Sequence, residues 1–221
     1  MKRTMLVLTA LVLLAGSAQA TTLTFEDMGT NVNIPSNWGS NIAAAQTGIS
    51  VDNGATPNVG LTWSASSGGT WQFYNDAEWK AAQMDGFKSG VNFDLLFTPA
   101  AGYSVQVNSF VFDDYANYQS GSAFGWQLFK DNASGAQISG GTGTTTDGQN
   151  LLINTGMASA YAGSVLLRLT GLSGNDGQDE ALDTITFVQT ASVPEPGALA
   201  LLGAALLGFG LFGRKRLRTK P

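Results

Sequence analysis

Carboxylates are the side chains in this sequence best placed to do chemistry. Glu26-Asp27 lies near one end of the central stretch, and Asp179-Glu180 with Asp183 lies near the other. In a sheet whose first and last strands run antiparallel, these five acids would converge. Carboxylates that converge without a lysine repel one another unless a hard cation such as Ca²⁺ balances them. The segment Ser173-Gly174-Asn175-Asp176-Gly177-Gln178-Asp179-Glu180 lacks the twelve-residue spacing of an EF-hand loop. A structural Ca²⁺ held by Glu26, Asp27, Asp179, Glu180 and Asp183 therefore stands against a solvated acidic loop, and no cofactor is required. A second constellation is Asp113-Asp114-Tyr115-Ala116-Asn117-Tyr118-Gln119. A loop of this kind can hydrogen-bond glycan hydroxyls and stack a sugar ring, with Asp113, Asp114, Tyr115 and Tyr118 as the contact residues. Trp38, Trp71, Trp79 and Trp126 also border turn-rich segments, but Trp126 alternates with Phe124 and Leu128 and reads as core.

The remaining chemistry is narrow. The chain has no cysteine and no histidine, which excludes disulfides, thiolate nucleophiles, Cys/His zinc sites and Ser-His-Asp triads. It has no Ser-x-x-Lys, no Gly-x-Ser-x-Gly and no glycine-rich phosphate loop. A pair of carboxylates can hydrolyse a glycosidic bond, yet nothing selects a pair here. The expectation is a non-enzymatic protein, with a carbohydrate-binding module as the alternative and a glycan hydrolase or lyase as the third reading.

Charge points the same way. Between Thr21 and Val193 only Lys80, Lys88, Lys130 and Arg168 are basic, against fifteen acids, which leaves a net charge of −11. Such a surface repels phosphate backbones and favours cations or neutral ligands, so nucleic acid is not a partner.

Both ends of the chain read as addresses. Residues 1–20 carry Lys2-Arg3, an apolar run from Met5 to Ala15, and small residues at Ala18 and Ala20. That is the pattern of a signal peptide cleaved by signal peptidase after Ala20. Residues 193–221 have three parts: Val193 with Pro194-Glu195-Pro196, then residues 197–213 without one polar side chain, then a basic tail over 214–221. Seventeen apolar residues span roughly 25 Å as a helix, the short end of what crosses a bilayer. Arg214, Lys215, Arg216 and Arg218 would stop transfer and keep that end in the cytoplasm. The acidic stretch of residues 21–192 then lies outside the inner membrane.

This tail resembles the PEP-CTERM sorting signal of Gram-negative, exopolysaccharide-producing bacteria. The resemblance implies that exosortase, an intramembrane cysteine transpeptidase, processes the chain near Pro194, Glu195 and Pro196. It also implies that the helix anchors the chain only transiently before release to the cell surface or matrix. Exopolysaccharide and the biofilm matrix are the partners implied there.

Residues 21–192 must position whatever chemistry exists. Short runs rich in β-branched and aromatic residues alternate with Gly/Asn/Asp/Ser clusters. They predict strands over 22–26, 49–51, 59–64, 70–74, 91–97, 104–112, 124–129, 151–154, 165–170 and 184–188, an all-β antiparallel sandwich or jelly roll. Asn75 to Gly86 carries a helix signature, with Asn75 to cap, Glu78 three residues on and Gly86 to terminate. Ser134 to Gly148, rich in Ser, Gly and Thr, reads as a long connection. Gly102-Tyr103 leading into Asn108-Ser109-Phe110, and Leu182-Asp183-Thr184-Ile185-Thr186-Phe187, resemble segments of ectodomains that accompany this sorting signal. Those ectodomains are similar to galactose-binding-like jelly rolls, although Thr184 stands where they carry Asn.

Overall fold

The structure, a computed structural model, describes residues 18–25, 28–42, 48–51, 58–75, 80–114, 123–146, 148–173, 180–191 and 203. The chain divides into two compact units, Ser17–Ala191 and one formed by Met1–Gly16 with Ser192–Pro221. Of the second, only Gly203 is described, and it is helical. The first carries thirteen strands among the described residues: β1 (Ala18–Leu23), β2 (Val32–Asn33), β3 (Ile49–Val51), β4 (Val59–Ala65), β5 (Thr70–Asn75), β6 (Lys80–Asp85), β7 (Asn92–Pro99), β8 (Tyr103–Asp114), β9 (Ala123–Lys130), β10 (Gln137–Thr144), β11 (Asn150–Asn154), β12 (Val165–Ser173) and β13 (Glu180–Ala191).

These strands form an antiparallel β-sandwich, as the period-two patterning predicts. One sheet runs β11-β8-β13-β6-β5-β2, with β1 on β13 and β3 on β1; the other runs β10-β9-β12-β7-β4. Alternation decides which side chains enter the core. Phe93, Leu95 and Phe97 of β7 and Val165, Leu167 and Leu169 of β12 are buried. On the outer face, Arg168 lies opposite Asp94 and donates to it twice, at 2.8 and 2.7 Å. That hydrogen bond, ahead of the Asp94 charge, raises the Arg168 pKa, while partial burial opposes it.

Rings link the core from end to end. Phe25, Trp38, Trp63, Trp71 and Phe93 follow one another at centroid distances of 5.2, 5.8, 5.1 and 5.1 Å. Phe87 and Phe112 continue the line to Phe124, which stacks on Phe112 at 3.7 Å and joins the two sheets. Such pairs add about 0.5–1.5 kcal/mol each beyond their buried area. Buried indoles need acceptors, and backbone supplies them: Trp63 Nε1 donates to Trp38 O and Trp71 Nε1 to Ser64 O, each at 2.9 Å. Trp38 and Trp71 are therefore packing residues rather than exposed sugar platforms, and Trp79 lies outside the described residues.

Two expectations are corrected. Where it is described, the helix signature over 75–86 gives way to a β5–β6 pair, from Thr70↔Asp85 to Asn75↔Lys80, while residues 76–79 lie outside the described residues. Ala81, Ala82, Gln83 and Met84 suit a helix by propensity, but all four are buried, between β5 on one edge and β13 on the other. Tertiary burial outweighs a few tenths of a kcal/mol of propensity per residue. Gly86 does end the element, at φ +82, where a Cβ would stand 2.1 Å from Gly68 O.

The Ser134–Gly148 segment is not a free connection either, because β10 pairs with β9 along its length. Gly141 lies opposite Trp126 and Gly143 opposite Phe124. A Cβ on Gly141 would meet Trp126 Nε1 at 3.0 Å, and one on Gly143 would meet Phe124 Cζ at 2.4 Å. The aromatic rings of β9 occupy the space that β10 side chains would fill, so glycine is required for contact rather than for flexibility.

Gly143→Val is therefore expected to cost about 1–3 kcal/mol, as overpacking does. Gly60→Ala on β4, whose added Cβ meets only ordinary contacts from 3.6 Å, is expected to be close to neutral. Chemical denaturation of both variants checks this, and equal losses would sink the ring-filling account.

Candidate functional site

The β8–β13 ladder brings part of each predicted acidic constellation to one end of its sheet. Glu180 pairs with Asp114 and Ala181 with Asp113. Asp113, Asp114 and Glu180 are all buried, so the two aspartates are strand residues rather than exposed loop residues. Like charges directly opposite on neighbouring strands destabilise a sheet. The buried Thr145 hydroxyl answers one of them, donating to Asp114 Oδ2 at 2.6 Å. Asp183 sits where the ladder shifts register between Leu182 and Ile185, and it is partly exposed.

β1 does pair antiparallel with β13, from Ala18↔Thr190 to Leu23↔Ile185. Glu26, Asp27, Asp179, Tyr115 and Tyr118 lie outside the described residues. Among the described residues no group of three or more carboxylates is placed to hold a metal ion.

Ala18 and Ala20 belong to β1, opposite Thr190 and Val188 of β13, and β13 ends at Ala191. Pro194, Glu195, Pro196, Arg214, Lys215, Arg216 and Arg218 lie outside the described residues, as does the apolar run of 197–213 except Gly203. No described helix is long and apolar enough to cross a membrane.

A site that the sequence did not disclose lies at the other end of β8. A cavity of about 250 Å³ is lined by Lys130, Ile138, Gly156, Met157, Ser159 and Tyr161, among others. Tyr161 is fixed through its backbone, exchanging hydrogen bonds with Val105 of β8 at 2.8 and 2.9 Å. Its hydroxyl donates to Asp131 Oδ2 at 3.1 Å, and the Lys130 ammonium lies 4.9 Å from its ring centroid. The hydrogen bond to Asp131, then desolvation and the Asp131 charge, push the Tyr161 phenol above its usual range. It therefore stays protonated and donating at neutral pH.

Gly163 permits this arrangement, since a Cβ there would stand 2.5 Å from Asp131 Oδ1 and 2.6 Å from Tyr161 Cε1. Gln106 Nε2 donates to Met157 O at 2.5 Å, and Met157 N donates to Thr155 Oγ1 at 3.3 Å, which holds the lining segment. The one available sequence signal was that Lys130 is among only four cations in the acidic stretch.

Comparison with known proteins adds two findings. Residues 192–216 match the PEP-CTERM protein-sorting motif. No curated protein sequence matches the chain. Among solved structures, the CBM22-1 xylan-binding domain of Paenibacillus barcinonensis Xyn10C is 12% identical, with 60% of this chain and 87% of that one covered and a TM-score of 0.38. Dimeric latent PorU from Porphyromonas gingivalis is 11% identical over 73% of this chain and 14% of that one, at 0.37. The C-terminal family 22 carbohydrate binding module of Clostridium thermocellum Xyn10B is 12% identical over 59% and 86%, at 0.32. At these identities and scores the likenesses carry no argument about ligands. The chain thus joins an antiparallel β-sandwich to a PEP-CTERM sorting motif that begins one residue after the last strand.

Proposed function

We propose that this chain is an exported, non-enzymatic surface or matrix protein that exosortase processes at its C-terminus. The observation that carries the reading is the sorting motif over 192–216, directly behind β13. Signal peptidase removes residues 1–20, and the apolar run of 197–213 holds the chain in the inner membrane of a Gram-negative cell until exosortase acts near Pro194-Glu195-Pro196. The sandwich is then delivered to the cell surface, in contact with exopolysaccharide and the biofilm matrix. Carbohydrate binding by the sandwich is the second reading, favoured by the cavity beside Tyr161.

Mass spectrometry of the surface form is expected to find Gly197–Pro221 missing, and the Glu195→Ala variant is expected to accumulate as precursor in the inner membrane. Recovery of an intact Arg214–Arg218 cluster on the external form would overturn exosortase processing. Orientation has its own readout. A reporter active only in the periplasm is expected to work when fused after Ser192 and to be silent after Pro221, because the basic tail resists translocation. Activity at both positions would mean that the tail does not stop transfer.

A structural Ca²⁺ at Glu26, Asp27, Asp179, Glu180 and Asp183 also remains a proposal. It is supported by the antiparallel β1–β13 pairing, in which Leu23 lies opposite Ile185, two residues from Asp183. Calcium at about 100 times its Kd would add roughly 2.7 kcal/mol to folding. Thermal melting is the check, with sodium chloride at matched ionic strength as control. Equal shifts from sodium, magnesium and calcium would leave the acids as a solvated face.

A further inference from the structure

We propose that the cavity beside Tyr161 binds one neutral sugar residue, recognised by Lys130 and Tyr161, with Asp131 holding the Tyr161 hydroxyl. Size sets the first limit. The cavity measures about 250 Å³. It falls just short of the roughly 300 Å³ at which drug-sized sites begin. One small ring fits, and an enclosed oligosaccharide does not.

Chemistry sets the second. A sugar ring presents hydroxyls that both donate and accept, beside an apolar face of C–H groups. The Lys130 ammonium offers donors only, and the phenol oxygen of Tyr161 can accept while its proton is committed to Asp131. Hydrogen bonds to charged partners are roughly twice as strong as neutral ones. Met157 and Ile138 supply apolar lining for the C–H face.

Charge sets the third limit. Lys130 and Asp131 are sequence neighbours, and their charges offset each other beside the cavity. The stretch around them carries −11, so an anionic sugar gains nothing from the wider field, and a neutral one is not repelled. The site is also preformed: the Val105 bridge fixes Tyr161, the Gln106 hydrogen bond fixes Met157, and the Lys130 cation over the Tyr161 ring restrains the ammonium. Less ordering then remains to oppose binding. This site is separate from the acidic end. Val105 and Asp114 stand nine residues apart on β8, about 30 Å at strand rise.

The inference deepens the carbohydrate-binding reading and is independent of how the chain is sorted, because binding is measured on the purified protein. The experiment is methyl NMR of the full chain in detergent with labelled methionine, titrated with glucose, galactose, mannose and xylose, and with glucuronate as an acidic control. The Met157 methyl is expected to shift saturably with at least one neutral sugar, while Met84, buried in the core, stays unmoved. Lys130→Ala, which removes a charged donor, is expected to weaken that binding about tenfold or more. Tyr161→Phe is expected to weaken it less and leaves the ring in place. The proposal is overturned if no neutral sugar moves Met157 up to its solubility limit, if glucuronate binds more tightly, or if Lys130→Ala binds as well as the parent. A failure of exosortase processing in cells would leave each of these results unchanged.

Discussion

The pairing of β8 with β13 is the constraint on which the rest of this molecule depends. Both strands are twelve residues long and pair from Glu180↔Asp114 to Ala191↔Tyr103. The ladder shifts register twice. Asn108 is the extra residue on β8, and one residue at Asp183–Thr184 is extra on β13. A one-residue insertion turns the following side chains to the other face. Burial accordingly passes from Val105 and Val107 to Phe110 and Phe112 on one strand, and from Leu182 to Ile185 and Phe187 on the other. Each bulge keeps its own strand's apolar set in the core after the other strand has bent. Thr155 closes the β8 bulge, donating through Oγ1 to Val107 O at 2.5 Å and through its amide to Asn108 O at 2.9 Å. Both candidate sites hang from this ladder, the paired Asp114 and Glu180 at one end and the Val105–Tyr161 bridge at the other.

The second sheet solves a different problem, its exposed edges. At the β4 edge the 36–41 turn supplies partners: Trp63 N donates to Ser36 O at 2.9 Å, Leu61 N to Ser40 Oγ at 2.7 Å and Asn41 N to Val59 O at 3.1 Å. A covered edge cannot template another strand. At the β10 edge the strand is built around the rings of β9 and shifts register between Gln137 and Ser139. Irregularity of that kind is a recurrent way to blunt an edge.

What the sequence disclosed follows from which physical effect dominated each segment. Where one face was buried and the other wet, as in β7, β9 and β12, alternation was plain and the strands stand close to their expected limits. β6 was illegible because both its faces are covered, so the residues that fit there are small or flexible ones with helical propensity. β10 was illegible because its apolar volume belongs to Trp126 and Phe124, twelve or more residues earlier in the chain. The antiparallel pairing of first and last strands matches what the acidic reading assumed, but that Glu180 would face Asp114 was not legible. That adjacency depends on the β8–β13 register, which no local pattern encodes. The Tyr161 cavity was invisible for the same reason: Lys130, Met157 and Tyr161 have no shared spacing, and an isolated bridge to Val105 unites them.

The order in which the chain becomes available completes the argument. β1 finds its partner β13 only across nearly the whole domain, Leu23 meeting Ile185. Such non-local pairing is slow to form, because loop closure must precede any compensating contact. On the proposed export route the strands just behind the leader cross the membrane first, and β13 emerges last. Until then Ala18–Ala20 has no β13 to join. Once β13 arrives, the same residues are in a ladder and Thr21 is fully buried. On that proposed route, cleavage after Ala20 comes before the sheet closes. Thr21–Leu23 remains to bridge β13 and β3 once the leader is gone. The strand that seals the domain is thus also the one that leads straight into the sorting motif.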